Sequence, residues 1–349
     1  MKERTFNAKA LLIATAASVF MVVLVFYGSR KLQNFDAALI TYLFGTLFAF
    51  FGVVYPYTVW LQRPPTWMYF KRGIHFLFTG KVFSHLWFLG KESVQNIAFQ
   101  KFIYPRGKYR WIAHFCIAIG CFSAFAITFP LTFGWIHFTL APNSISVYEA
   151  HFFGFKVMDF ELGSIMAFLT FHALNWSSYL VIFGSLYYLR RRLTNPGLIA
   201  TQTFEGDLLP LLLLIAISVT GLCLTYSYQF MKGFAYDFLA VVHAVTVIMF
   251  LIWIPFGKFF HIIQRPAQIG AHIYKKEGMK KGMAICPETG KPFTTQLHID
   301  DLKIVTKQLG FDFSDDEGNS HLDLSPEGKR DRLAKAHLKA RLEGGNLFG

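Results

Sequence analysis

The sequence predicts an all-α membrane protein of about six transmembrane helices, and three observations carry that prediction. Of 349 residues, 54% are hydrophobic, 18% aromatic and only 16% charged, more apolar than a soluble domain of this length requires. Uncharged windows of about 20 residues or more, enough for a helix to cross a bilayer, recur along the chain. These windows hold many of the 40 phenylalanines and lack the apolar-polar alternation of a barrel strand, so each has to satisfy its own backbone as a helix.

The windows run over residues 10–28, 37–62, 111–136, 162–189, 208–231 and 238–257. The first lies close to the start of the chain, but no small-residue cleavage site follows Gly28 and the span exceeds a signal-peptide core, so it reads as an uncleaved anchor. The first two windows group as residues 1–63. Residues 64–110 then mix aromatics (Trp67, Tyr69, Phe70, Phe76, Phe78, Trp87, Phe88) with basic side chains, the composition of an amphipathic segment lying in the membrane interface. Residues 111–263 hold the remaining four windows. From 264 to 349 hydrophobicity falls, and helices are expected over 299–309 and 326–342, the second with Ser325 as N-cap, Pro326 in its first turn and Gly344-Gly345 at its end. So few large apolar residues in 86 positions suggest a piece that docks on a partner.

The excess of 34 Lys and Arg over 21 Asp and Glu, a net +13, flanks the spans, which argues against a nucleic-acid surface and sets orientation instead. Lys2, Arg4 and Lys9, then Arg63, Lys71, Arg72, Lys81, Lys91, Lys101, Arg106, Lys108 and Arg110, then Arg190, Arg191 and Arg192 fall on one side. The other side holds Arg30, Lys31, Lys156 and Lys232 against Asp36, Glu149, Asp159, Glu161 and Asp237. The positive-inside rule then places both termini in the cytoplasm of a bacterial-type inner membrane. Cys116, Cys121 and Cys223 sit in the windows and Cys286 in the tail without any CxxC, so this chain builds neither an iron–sulfur cluster nor a zinc ribbon. No Walker loop, GxGxxG or Ser/His/Asp signature stands in a suitable context, which places substrate chemistry in another subunit.

Four of the 12 histidines, His114, His172, His243 and His261, lie in or beside these apolar windows. An ionisable side chain there usually marks function, and imidazole is a common axial ligand of haem iron. His243 and His261 stand 18 residues apart, five whole turns, so both imidazoles are expected on the same face of the last helix with a rise of roughly 27 Å, and such a helix can ligate two haems, one near each membrane surface. His114 lies four residues after Arg110 and His261 four before Arg265, which puts both at the cytoplasmic depth. His172 and His243 share the outer half. Alternatively, a lone histidine such as His172 hydrogen-bonds a neighbouring helix or serves a proton path. Gly120, Gly163, Gly184 and Gly221 offer either room for porphyrin or close helix packing, and Pro255 breaks a backbone bond between His243 and His261.

Residues 185–275, with Leu189-Arg190-Arg191-Arg192-Leu193, Asn195-Pro196, Thr201, Gly206-Asp207, Thr220-Gly221-Leu222, His243, Pro255-Phe256, His261 and Pro266, resemble the gamma subunit of respiratory nitrate reductase, a di-haem cytochrome b. Residues 95–120, with Phe99-Gln100 and Arg110-Trp111-Ile112-Ala113-His114, are similar to membrane subunits of heterodisulfide-reductase-like and electron-transfer-flavoprotein:menaquinone complexes. The resemblance implies His114 and His261 as ligands of the haem b nearer the cytoplasm and His243 as one ligand of an outer haem. Ala124 stands where the remaining ligand belongs. Either His172 substitutes for it or the outer haem is absent.

The expected function is therefore a membrane cytochrome b subunit with two b haems, or one at minimum. It carries electrons between menaquinone or ubiquinone in the lipid and an iron–sulfur subunit that serves a catalytic subunit of a respiratory complex. Lys156, Asp159 and Glu161 are the candidate quinone contacts; helix-end charges are the alternative role for the same three. A transporter and a structural anchor without haem remain the alternative functions.

Overall fold

The computed structural model describes residues 7–79, 82–314 and 320–344; Lys2, Arg4, Lys81 and Gly345, named above, lie outside them. Its helices are α1 (Ala8–Gly28), α2 (Ile40–Leu61), α3 (Pro64–Phe78), α4 (Val82–Ser93), α5 (Lys108–Thr132), α6 (Ile165–Thr194), the single turn α7 (Pro196–Ile199), α8 (Leu209–Phe230), α9 (Tyr236–Trp253), α10 (Phe260–Lys280), α11 (Gln296–Gln308) and α12 (Pro326–Leu342). Strands β1 (Ile136–Leu140), β2 (Val147–Phe152) and β3 (Phe155–Glu161) follow α5, and β4 (Met283–Ile285) and β5 (Pro292–Thr295) precede α11. Among the described residues six helices are long and apolar enough to cross a membrane: Ala8–Gly28, Ala37–Leu61, Lys108–Thr132, Ile165–Thr194, Phe204–Phe230 and Tyr236–Trp253. The protein is an all-α, multi-pass membrane protein, with two small sheets the sequence reading did not anticipate.

The chain divides into two compact units, residues 1–58 with 95–263 and residues 59–94 with 264–349. The segment read above as 64–110 and the extension read as 264–349 therefore largely share one unit. Its core is Phe76 of α3 with Ile273 and Tyr274 of α10 and Leu297 of α11, against which Tyr69, Leu77, Phe88 and Leu89 pack. The tail is too polar to form a core alone, and the apolar faces of α3 and α4 supply the missing surface. Ser325 caps α12 as expected by accepting from Gly328 N–H at 3.0 Å, while α11 begins three residues before the expected 299, where Thr295 caps it by accepting from His298 N–H at 3.3 Å.

In the membrane unit, α5 and α6 approach closely because glycine faces backbone. A Cβ on Gly184 would lie 2.4 Å from the Ala113 carbonyl oxygen, and one on Gly120 2.8 Å from that of Ser177. These two glycines are consumed by helix packing and make no space for a porphyrin. Around them Val181, Leu213, Leu214 and Phe250 form a core that Ile117, Cys121 and Phe259 also contact.

The three-stranded antiparallel sheet, in order β1-β2-β3, occupies the connection between α5 and α6. Phe153 and Gly154, both at positive φ (49° and 84°), form the two-residue turn that joins β2 to β3. Arg30, just beyond α1, donates to the Gly154 carbonyl oxygen. Arg30, Lys31 and Leu32 all hold φ between 53° and 69°, a left-handed run that costs L-residues roughly 1–2 kcal/mol each. Hydrogen bonds from Lys31 N–H to Phe26 O and from Leu32 N–H to Ser29 Oγ offset part of that cost.

One expectation requires correction. His243 and His261 do not share a helix: α9 ends at Trp253, residues 254–259 form turns, and His261 belongs to α10. Pro255 has no N–H to continue the ladder, and the Trp253 indole lies over Gly257, where a Cβ would be 1.9 Å from a ring carbon. Gly52 of α2 receives the Pro255 ring, which a Cβ there would approach to 2.6 Å. The five-turn arithmetic therefore fails, and the last window is shorter than the 238–257 expected.

Candidate functional site

The four singled-out histidines occupy three helices of the membrane unit and the first residues of α10, and each is held by a different kind of neighbour. His114, one turn into α5, donates from Nδ1 to Gln100 Oε1 at 2.6 Å. Gln100 is buried and sits at φ 51°, so the chain takes a left-handed turn in order to aim that amide. The Tyr188 ring meets the His114 imidazole edge-on, with centroids 6.5 Å apart.

His261 donates from Nδ1 to the Lys258 carbonyl oxygen. The turn that offers this carbonyl is anchored by charge. Asp207, with 9% of its side chain exposed, accepts from Lys258 Nζ at 2.5 Å, pairs with Arg192 Nη2 at 2.8 Å and accepts from Thr203 N–H at 3.1 Å. A buried carboxylate with three such partners is satisfied, and it ties the end of α6, the start of α8 and the α9–α10 turn together. His261 itself is exposed.

His243 pairs through Nδ1 with Thr220 Oγ1 at 2.9 Å, and Thr220 also lies 3.2 Å from Thr246 Oγ1. Its imidazole rests on Gly221, where a Cβ would stand 3.3 Å from Cε1. Gly221 is filled by this ring and Gly163 faces open space, so of the four glycines none brackets a porphyrin-sized gap.

His172 differs in that both ring nitrogens are engaged. A carbonyl oxygen can only accept, so Nδ1 donates to Phe168 O at 2.9 Å and Nε2 accepts from the Gln229 amide at 3.0 Å. Next to it the Thr225 hydroxyl donates to Asn175 Oδ1 at 3.0 Å. These two pairs line an open cleft of about 590 Å³ between α6 and α8, walled by Phe168, Trp176, Tyr179, Leu222, Tyr226 and Phe230 among others. No charge or motif marked this cavity in the sequence. The recurrence of Asn175, Thr225 and Gln229, uncharged but hydrogen-bonding, in two apolar windows was the signal available.

Lys156, Asp159 and Glu161 lie on β3 rather than at a helix start. Lys156 Nζ bridges Glu149 Oε1 of β2 at 2.8 Å and Asp159 Oδ2 of its own strand at 3.1 Å. The hydrogen bond from Lys156 holds Asp159 below the usual carboxylate range, and those to Glu149 and Asp159 raise Lys156. Glu161 is exposed. Beside them the His137 and His151 rings stack with centroids 4.9 Å apart at 6°. Burial, then the neighbouring His151 and Arg30, push His137 below its ordinary value.

A bis-histidine haem requires imidazoles whose Nδ1–H is held by an acceptor so that the Nε2 lone pair faces the metal. In His114 and His261 Nδ1 faces an oxygen acceptor, Gln100 Oε1 and Lys258 O, and in His172 both ring nitrogens are engaged, by Phe168 O and Gln229. Among the described residues no group of three or more His, Cys, Asp or Glu is placed to hold a metal ion, which also covers Cys286 in the tail. No protein-family model, curated protein or solved structure matches this chain.

Proposed function

We propose that the chain is the membrane cytochrome b subunit of a respiratory oxidoreductase, with haem b held by His114 and His261. The observation that carries this reading is the partner of each Nδ1, Gln100 Oε1 for His114 and Lys258 O for His261, the kind of oxygen acceptor that orients a metal-ligating imidazole. Further support comes from position. Ile117, one turn after His114, and Phe259, two residues before His261, pack on the same core of Val181, Leu213, Leu214 and Phe250.

Haem supplies one-electron transfer when bound. The chain's own residues orient the imidazoles (Gln100 and Lys258 O) and fix the turn that carries His261 (Asp207 with Lys258 and Arg192). His243, through Thr220, is positioned as a ligand point for an outer haem, but its second ligand is not supplied by a free nitrogen on His172. In this reading the electrons pass between menaquinone or ubiquinone and an iron–sulfur subunit beside the basic ends of the spans. Those ends face the cytoplasm of a bacterial-type inner membrane, and partner subunits carry the substrate chemistry.

The test is a pair of variants in membranes that contain the partner subunits. His114→Ala and His261→Ala are expected to lower quinol-linked turnover by more than the roughly 10–100-fold that loss of a ligand's hydrogen-bonding partner costs. Unchanged turnover in both would reject haem ligation and leave the anchor function.

A further inference from the structure

We propose that the cavity between α6 and α8 is a binding site for the headgroup of a lipid-soluble quinone, with His172, Gln229, Asn175 and Thr225 as its polar contacts; the choice of ligand class rests on the cytochrome reading above. The volume, about 590 Å³, lies in the range of small-molecule sites, and the lining has their usual character of many apolar groups around few polar ones. The polar groups come in two stations. His172 with Gln229 forms one and Asn175 with Thr225 the other, and along each helix they are three or four residues apart, a rise of about 4.5–6 Å. A ring carrying an oxygen at each end spans that separation, whereas a sterol or a single-headed lipid satisfies only one station.

The stations also have the right chemistry. Phe168 O fixes the Nδ1–H tautomer of His172, which makes Nε2 an acceptor able to receive a quinol hydroxyl in place of the Gln229 amide. Released, the Gln229 amide is a donor for a quinone carbonyl. Asn175 accepts from Thr225 through Oδ1, which leaves its amide N–H groups as donors at the second station. Trp176, Tyr179, Tyr226 and Phe230 are each more than half or about half exposed on helices that cross the membrane, so the aromatic mouth faces lipid, the phase from which a quinone arrives. This assignment replaces the surface cluster Lys156, Asp159 and Glu161, whose charges already neutralise one another or face outward.

The experiment uses the full chain in phosphatidylcholine nanodiscs, with decyl-ubiquinone and a short-chain menaquinone as probes and tryptophan fluorescence quenching as readout. Saturable quenching is expected, mostly lost in Trp176→Phe and weakened about tenfold in Gln229→Leu, Asn175→Leu and His172→Leu, the weight of one or two hydrogen bonds. Val219→Phe, which fills the cavity from α8 without removing a polar group, is expected to weaken it as well. Equal quenching in all variants, or only non-saturable partitioning, overturns the site. A fall in haem content in His172→Leu also overturns it, because His172 is then an axial ligand. Absence of haem with quinone binding intact overturns the cytochrome reading and leaves the cavity assignment standing.

Discussion

Gly184, inside α6, and Gly163, in the turn that leads into it, show how differently two glycines behave. A methyl group at Gly184 meets the Ala113 carbonyl, one residue before His114, and backbone cannot yield as a side chain can. Gly184→Ala is expected to destabilise the fold by about 1–3 kcal/mol and to lower haem occupancy, while Gly163→Ala, with open space around it, stays within about 0.5 kcal/mol. Thermal unfolding in detergent, followed alongside haem absorbance, separates the two. A second residue-scale prediction concerns Asp207. Asp207→Ala removes the shared partner of Arg192 and Lys258, whose own side chains reach solvent, and is expected to cost about 1–2 kcal/mol, with His261 loosened through the Lys258 carbonyl. Asp207→Asn keeps the Thr203 contact and should lose less. At this scale the sequence marked all four histidines because charge-poor surroundings make an imidazole conspicuous. It did not reveal their acceptors: Gln100, the Lys258 carbonyl, Thr220 and Gln229 are ordinary residues until folding brings them to the ring.

Elements were legible where a single physical signal dominates. Hydropathy over 20 residues places the six spans, and Ser325-Pro326 announces the start of α12, whereas the Thr295 cap that starts α11 at Gln296 went unread. The sheet between α5 and α6 escaped notice because its strands are five to seven residues long and partly solvated, although the Phe153-Gly154 turn between aromatic-rich runs is a hairpin signal. The break after Trp253 was visible as Pro255 but underestimated, since the additional packing of Trp253 on Gly257 and of Pro255 on Gly52 is a tertiary matter. For the α3–α4 and tail unit, acid is the informative variable. Burial pushes His298 below its ordinary 6.5, and the Lys280 hydrogen bond holds Glu277 below 4.5 with His85 assisting. Both groups have depressed values, so the unfolded chain binds more protons and stability present at neutral pH is lost as pH falls. The unit is expected to weaken in two stages, below about 6.5 and again below about 4.5. His321 of the same unit is likewise pushed below its ordinary value by burial, so His298→Gln is expected to shrink the upper stage and the double change with His321→Gln to remove it, which pH-dependent thermal unfolding of the full chain reads.

Across the whole molecule, the asymmetry of charge turns a stack of apolar helices into an oriented one. Lys101, Arg106, Lys108 and Arg110 at the start of α5 and Arg190, Arg191 and Arg192 at the end of α6 lie at one end of the spans, and the acidic sheet lies at the other. Single cysteines introduced for Lys108 and Lys156 in a cysteine-free background are expected to label from opposite sides of sealed vesicles, Lys156 from outside. The grouping of residues 59–94 with 264–349 was hidden from the sequence, because a polar tail and an amphipathic pair each look incomplete alone. Their shared Phe76, Ile273, Tyr274 and Leu297 core shows where the missing apolar surface came from.

The central claim concerns iron held by His114 and His261, and haem stoichiometry of the purified chain tests it most directly. Reduced-minus-oxidised absorbance together with haem extraction should give at least one b-type haem per polypeptide, reduced to a minority in His114→Ala and in His261→Ala. A chain purified folded, with its full helical content and no b-type absorbance, would contradict the account.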